Sequence, residues 1–254
     1  MTENLPETAD KLAALRAATP ARIFLPRTGV ALTTQTNLQF QLDHAEARDA
    51  VLERLDVETL IEALRARGVE TLRVHSAAED RRTYLLRPDL GRALDEASRL
   101  RLARSAGDYD IVFVIADGLS ARAVSSHAIV LLDEALPAFR RASWKIAPIV
   151  AVEQGRVAIG DEIGEILGAK LVALLIGERP GLSSPDSLGV YLTFAPRVGR
   201  TDAERNCLSN IRLQGMSYSQ GAQSLFHLCS AARRKKLTGV DLKDETPRLN
   251  PVAR

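Results

Sequence analysis

The sequence is poor in cysteine, aromatic residues, net charge and long apolar runs, and each shortage removes a class of function. Two cysteines in 254 residues, Cys207 and Cys229, are too few for a disulfide framework and lack the paired short spacing of a zinc site. A reducing, cytoplasmic setting is expected. Aromatics make up 4% of the chain, which argues against a stacking platform for single-stranded nucleic acid. With 34 Lys+Arg against 32 Asp+Glu the formal net charge is +2, too little to grip a long phosphate backbone, so no nucleic-acid partner is expected. The longest apolar runs, Ile111 to Ala116 and Leu171 to Ile176, fall far short of the roughly 20 residues that cross a bilayer. Met1 to Asp10 is acidic and polar, without the basic start and apolar stretch of a secretory signal. No membrane association and no export are expected.

What is present is a globular composition, 46% hydrophobic, long enough to bury roughly 70–75% of its unfolded surface. Leu12, Ala13, Leu15 and Ala18 recur at helical spacing until Pro20 stops the pattern. Strong helix formers favour helix from Thr34 to Leu55, and Leu60 to Arg67 reads as another, ended by Gly68. Thr71 to His75 alternates and predicts a strand, Thr83 to Leu86 a weaker one, and Leu94 to Arg104 a helix. From Asp110 the texture changes. Short Val- and Ile-rich runs at Ile111–Ala116, Ile146–Val152, Leu171–Ile176 and Val190–Phe194 alternate with helical segments, and Gln220 to Lys236 supplies a closing helix. Strands buried on both faces and separated by helices predict an α/β fold, doubly wound, with a mostly parallel Rossmann-like sheet. The expected organisation is a tail with a short helix over residues 1–19, a mainly helical region over 20–105, and the Rossmann-like domain over 106–254.

In an open α/β sheet the ligand crevice lies beyond the carboxyl ends of the strands. Three loops there combine glycine with polar side chains: Asp117-Gly118-Leu119-Ser120, Gln154-Gly155-Arg156-Val157 and Gly177-Glu178-Arg179-Pro180-Gly181. Each is equally readable as plain turn chemistry. The Gly-x-Gly-x-x-Gly turn of dinucleotide enzymes, the P-loop and the Gly-x-Ser-x-Gly elbow are all missing. Gly160, Gly164 and Gly168 stand four apart, a spacing that favours close helix packing over ligand contact. Ser120 resembles a helix start more than a nucleophile. His44, His75, His127 and His227 show no metal-ligand spacing, and a histidine buried on a helix or exposed on the surface is the simpler assignment for each. Arg233-Arg234-Lys235-Lys236 suits a helix C-terminus. The residues by themselves go no further than a ligand bound at strand ends.

Several longer motifs carry more. Leu85-Leu-Arg-Pro-Asp-Leu-Gly91, Ala116-Asp-Gly-Leu-Ser120, Asp161-Glu-Ile-Gly-Glu-Ile-Leu-Gly-Ala-Lys170, Gly177-Glu-Arg-Pro-Gly-Leu182 and Arg205-Asn-Cys-Leu-Ser-Asn-Ile211 occur in this order. Over about residues 19 to 240 the chain resembles the small-subunit family of ethanolamine ammonia-lyase, an adenosylcobalamin-dependent enzyme. The resemblance implies a larger partner subunit, with a (β/α)₈ barrel, that binds ethanolamine and carries the radical chemistry, in a multimer with equal copies of each subunit. It implies cobalamin held between the two, touched on this side by Val157, Glu178 and Cys207, and no catalytic residue in this chain. The Asp-x-His-x-x-Gly loop of proteins that put a histidine on cobalt is missing here, so the cofactor is expected base-on, its benzimidazole retained. Many relatives carry a longer leader that addresses the enzyme to a bacterial microcompartment; with the short extension before Pro20, that address and the open cytoplasm both stand. Two other readings are kept: a structural partner subunit without cofactor contact, and a free-standing Rossmann-like enzyme on a nucleotide-like substrate, using Asp117 and Glu178.

Overall fold

The computed structural model describes residues 5–19 and 21–243. Pro20, expected to end the first helix, lies outside them, as do residues 1–4 and 244–254 at the two ends of the expected segments. The chain opens with α1 (Leu5–Ala17), a small hairpin of β1 (Arg27–Thr28) and β2 (Ala31–Leu32), and the long α2 (Thr34–Leu52). Next come α3 (Val57–Arg65), β3 (Thr71–His75), α4 (Arg81–Leu86) and α5 (Glu96–Ala103). Then β4 (Val112–Ala116), α6 (Ala121–Arg141), β5 (Ile149–Glu153), α7 (Ile159–Leu167) and β6 (Leu171–Gly177) follow one another, before β7 (Leu188–Phe194), β8 (Arg205–Ile211) and the closing α8 (Tyr218–Lys235). Side-chain caps start most of these helices: Asp56, Asp80, Asp95, Ser120 and Ser217 each accept from the backbone amide three residues on.

Strands β3 to β8 form one six-stranded sheet in the order β3-β5-β4-β6-β7-β8. Its residues alternate between two cores. Ile111, Phe113 and Ile115 face α3, α6 and α8, whereas Val112, Val114 and Ala116 face α5 and α7. The fully buried strands β4 and β6 read as continuous apolar runs for that reason. β3 pairs with β5, so the region before residue 105 gives the sheet an edge strand as well as helices.

The sheet is mixed, which corrects the expectation of a mostly parallel one at its far edge. β3, β5, β4 and β6 are parallel neighbours, but β7 runs antiparallel to β6 and β8 antiparallel to β7. Residues 178–187 between β6 and β7 are too few for a crossover, which takes about a dozen residues or more, so the chain turns back as a hairpin. Two local differences also appear. Thr83–Leu86 lies in helix α4, not a strand, because Asp80 caps it and Arg81 and Tyr84, three apart, turn inward together. β8 went unread as a strand because only one of its faces is covered, leaving a polar sequence on the sheet edge.

The glycines of α7 are there for packing. A methyl group on Gly164 would stand 2.4 Å from Val172 and 2.5 Å from Pro196, and one on Gly160 3.0 Å from Leu174. Gly168 differs: with φ +72° it is the left-handed cap of α7.

Candidate functional site

The loops after β4, β5 and β6 meet at one end of the sheet, stitched by Asp117. Its carboxylate accepts from the backbone amides of Gly118, Gln154 and Gly155 at 3.0, 3.1 and 3.0 Å. Arg81 Nη1 lies 3.4 Å from the same carboxylate and donates to Gly118 O at 2.8 Å. Burial pushes the Asp117 carboxyl up to about 6, with Arg81 and the three amides opposing. The carboxylate ties the three loops together. Gly118 turns here with φ +58°, and a methyl group on it would fall 2.3 Å from Gly177 O. The loops after β4 and β6 therefore touch backbone to backbone.

Above this floor the Tyr84 ring lies between two guanidinium groups, Arg81 at 4.7 Å and Arg156 at 4.5 Å from its centroid. Arg156 Nη2 donates to Tyr84 O at 3.0 Å, while its buried Nε has no acceptor within the described residues. Arg156 and Val157 then line two adjoining cavities of about 450 and 680 Å³, with Tyr191 common to both walls. Val157 is half-buried, offering an apolar surface beside the arginine.

Glu178 lines the smaller cavity from the opposite loop. Its carboxylate accepts from the hydroxyls of Ser187 and Ser209, the latter at 2.6 Å, and from the Asn210 amide at 3.2 Å. Three bonds fix the group and leave about one acceptor position of the roughly four a carboxylate offers. It lies over Gly189, where a methyl group would come within 2.9 Å of Oε1. Cys207 sits on β8 directly across from Tyr191 of β7. Desolvation of the sulfur pushes its pKa up, so at neutral pH Cys207 is a thiol and not a thiolate.

The structure thus brings Val157 and Glu178 into the wall of one cavity and joins Cys207 to that wall through Tyr191. Tyr84, Arg156 and Tyr191 escaped sequence reasoning. Tyr84 was hidden by the misread strand, Arg156 stood in a candidate strand-end loop without being singled out, and Tyr191 lay in an apolar run in which the one phenol was the available signal. Ser120 caps α6 by accepting from Ala123 N at 3.2 Å and donates to Pro185 O at 2.8 Å. Buried His127 is engaged with Tyr218 at 2.9 Å and Asp186 at 3.4 Å. Arg233, in the last turn of α8, stacks on Trp144 at 4.8 Å and pairs with Asp110 at 3.3 Å. Among the described residues no group of three or more His, Cys, Asp or Glu could hold a metal ion, and no helix is long and apolar enough to cross a membrane.

Residues 9–243 match the family described as Ethanolamine ammonia-lyase light chain (EutC). The chain belongs to this family. It is similar to the ethanolamine ammonia-lyase small subunit of Azotobacter vinelandii, with 54% identity over 96% of this chain and 92% of the relative. The corresponding subunit of Pseudomonas aeruginosa is 55% identical over 91% and 86%, and that of Xanthomonas campestris 54% over 94% and 89%. Membership makes the chain a component of a lyase, and the name small subunit implies a larger companion.

The residues at the strand ends fit a large cofactor rich in amide groups. Arg156 Nε is a buried donor without an acceptor among the described residues, Glu178 retains an acceptor position, and Val157 adds an apolar wall. Such a mixed, open groove suits one side of a ligand whose other side is covered elsewhere.

Proposed function

We propose that this chain is the small subunit of an adenosylcobalamin-dependent ethanolamine ammonia-lyase, and that its Rossmann-like strand-end groove closes one side of the cofactor while the large subunit closes the other. The single observation that carries this is the meeting of Val157 and Glu178 in one cavity wall, with Cys207 directly across the strand pair from the Tyr191 that completes it. In a lyase-family chain, a groove of that make-up calls for a ligand.

Val157 supplies an apolar contact, Glu178 accepts a hydrogen bond from an amide or hydroxyl of the ligand, and Cys207 provides a small, weakly polar surface. Ser187, Ser209 and the Asn210 amide hold Glu178 in a single orientation, so little freedom is lost when the ligand arrives. Bound adenosylcobalamin supplies the radical chemistry that converts ethanolamine to acetaldehyde and ammonia. This chain contributes orientation and exclusion of water, and no catalytic acid, base or nucleophile. The large subunit binds ethanolamine, the two subunits are present in equal number, and the enzyme works in the cytoplasm, free or packaged in a microcompartment. The cofactor stays base-on, since none of the four histidines lies in an Asp-x-His-x-x-Gly loop.

Ethanolamine deamination and cobalamin binding, measured for this chain, for the large subunit and for their mixture, test the proposal. Activity is expected from the mixture alone. Glu178→Ala in the assembled enzyme should weaken cobalamin binding about 10- to 100-fold, the worth of a hydrogen bond to a charged group. Unchanged affinity would make the chain a structural partner only, and activity of the chain by itself would favour the free-standing enzyme.

A further inference from the structure

The larger cavity, of about 680 Å³, carries a surplus of positive charge that the chain itself leaves unanswered. Of the five arginines in its wall, three are matched by carboxylates: Arg99 by Glu162 at 2.6 Å, Arg205 by Asp161 at 2.6 Å, and Arg200 by Glu204. The remaining acid of the wall, Asp202, lies against Arg205 at 3.3 Å. Arg92 and Arg156 pair with no carboxylate among the described residues. The smaller cavity shows no such surplus beyond Arg156 itself, because Glu178 offsets Arg179.

Arg156 is held in place on the boundary of the two cavities. Its backbone amide donates to Gly91 O at 2.8 Å, and its guanidinium lies over the Tyr84 ring at 4.5 Å. Gly91, the last residue of the Leu85–Gly91 motif, makes room for both: a methyl group there would stand 3.0 Å from the Tyr84 ring and 3.1 Å from Arg156 Cγ. Arg92 follows directly and lines the same wall as Arg156. Yet the guanidinium of Arg156 makes one hydrogen bond among the described residues, from Nη2 to Tyr84 O, and its buried Nε has no acceptor there. An arginine fixed in this way beside a second one, both without a counterion, fits a phosphate-type anion, whose oxygens match the guanidinium fork. Base-on cobalamin carries one such group, the phosphodiester in the nucleotide loop that links its corrin to the benzimidazole.

Resting on the function proposed above, we infer that Arg156, with Arg92 beside it, binds the phosphodiester of the cofactor's nucleotide loop, so that the larger cavity receives this loop and the smaller one the corrin edge. The test is equilibrium dialysis of the co-expressed complex with the large subunit against three corrinoids. These are cyanocobalamin, dicyanocobinamide, which lacks the loop, and cobinamide phosphate, which keeps a phosphate but no base. Arg156→Gln should weaken cyanocobalamin about 10- to 100-fold, the worth of a charge-assisted hydrogen bond. It should weaken cobinamide phosphate by a similar factor and leave dicyanocobinamide unchanged. Arg92→Gln alters an exposed side chain, so the fold should be spared, and it should repeat the pattern with a loss of about three- to fivefold. Selective loss in neither variant overturns the inference, since a site for free phosphate, or for a carboxylate of the large subunit, would treat the three corrinoids alike. A loss with cyanocobalamin but not with cobinamide phosphate also overturns it, because the contact would then be to the base. Either result leaves the proposed function standing, whereas a wild-type complex that binds none of the three overturns both.

Discussion

The buried pair of Asp161 and Arg205 offers a sharp test of how the site is held. Arg205 Nη1 and Nη2 donate to the two oxygens of Asp161 at 2.6 and 2.7 Å, and both side chains are 2% exposed. The same guanidinium bonds Thr193 and Arg200 O, each at 2.9 Å. The pair ties α7, which begins just after Val157, to β8, which carries Cys207. Removing either partner strands a buried charge, and each of Asp161→Leu and Arg205→Met should cost about 3–5 kcal/mol, a large share of the ~5–15 kcal/mol expected for the whole fold. Removing both replaces the pair by apolar groups, so the double variant should be no less stable than the worse single one. Urea unfolding of the four proteins gives the coupling energy directly, and about 3 kcal/mol is expected. In the assembled enzyme each single variant should also weaken cobalamin binding, because Val157 and Cys207 lose their common anchor. If the two single losses simply add, to within ~0.5 kcal/mol, the pair is not the tie that its geometry implies.

The remaining predictions concern the floor, the helix packing and the cofactor. The folded-state pKa of Asp117, about 6 against an ordinary 3.8, means the folded chain holds this proton more tightly than the unfolded one. Its stabilising contribution is full below pH 4 and falls by about 3 kcal/mol as pH rises through 6. Relative to Asp117→Asn the wild type should lose that much between pH 4 and 7 in urea titrations, and a gap constant with pH would refute the assignment. Gly164→Ala forces a methyl group against Val172 and Pro196 and should lower stability by about 1–3 kcal/mol in thermal unfolding. Spin-resonance spectra of the loaded enzyme should show benzimidazole nitrogen on cobalt; histidine nitrogen there would sink the base-on expectation.

Much of the architecture was legible because the signals were local. Continuous Val and Ile runs at β4, β5 and β6 could only be strands buried on both faces, and β3, α5, α6 and α8 followed from alternation, caps and helical spacing. Ser120 was readable as a helix cap, and the four-apart glycines of α7 as a packing face. α4 was missed because a short helix with two inward side chains looks like a strand until its cap is weighed. β8 was missed because an edge strand keeps a polar sequence. Of the candidate site, Val157, Glu178 and Cys207 came from the family resemblance, while Tyr84, Arg156 and Tyr191 became visible only when distant loops met.

The sequence by itself determined the class of fold and the family, since both reside in contiguous patterns of apolar runs and ordered motifs. Tertiary structure alone decided that β7 turns back antiparallel, that Asp117 is a tie between loops, and that Tyr191 joins Cys207 to the cavity wall. The reason is physical: pairing direction, enclosure of a charge and hydrogen bonds between strands depend on which segments become neighbours, and no local stretch of chain carries that information.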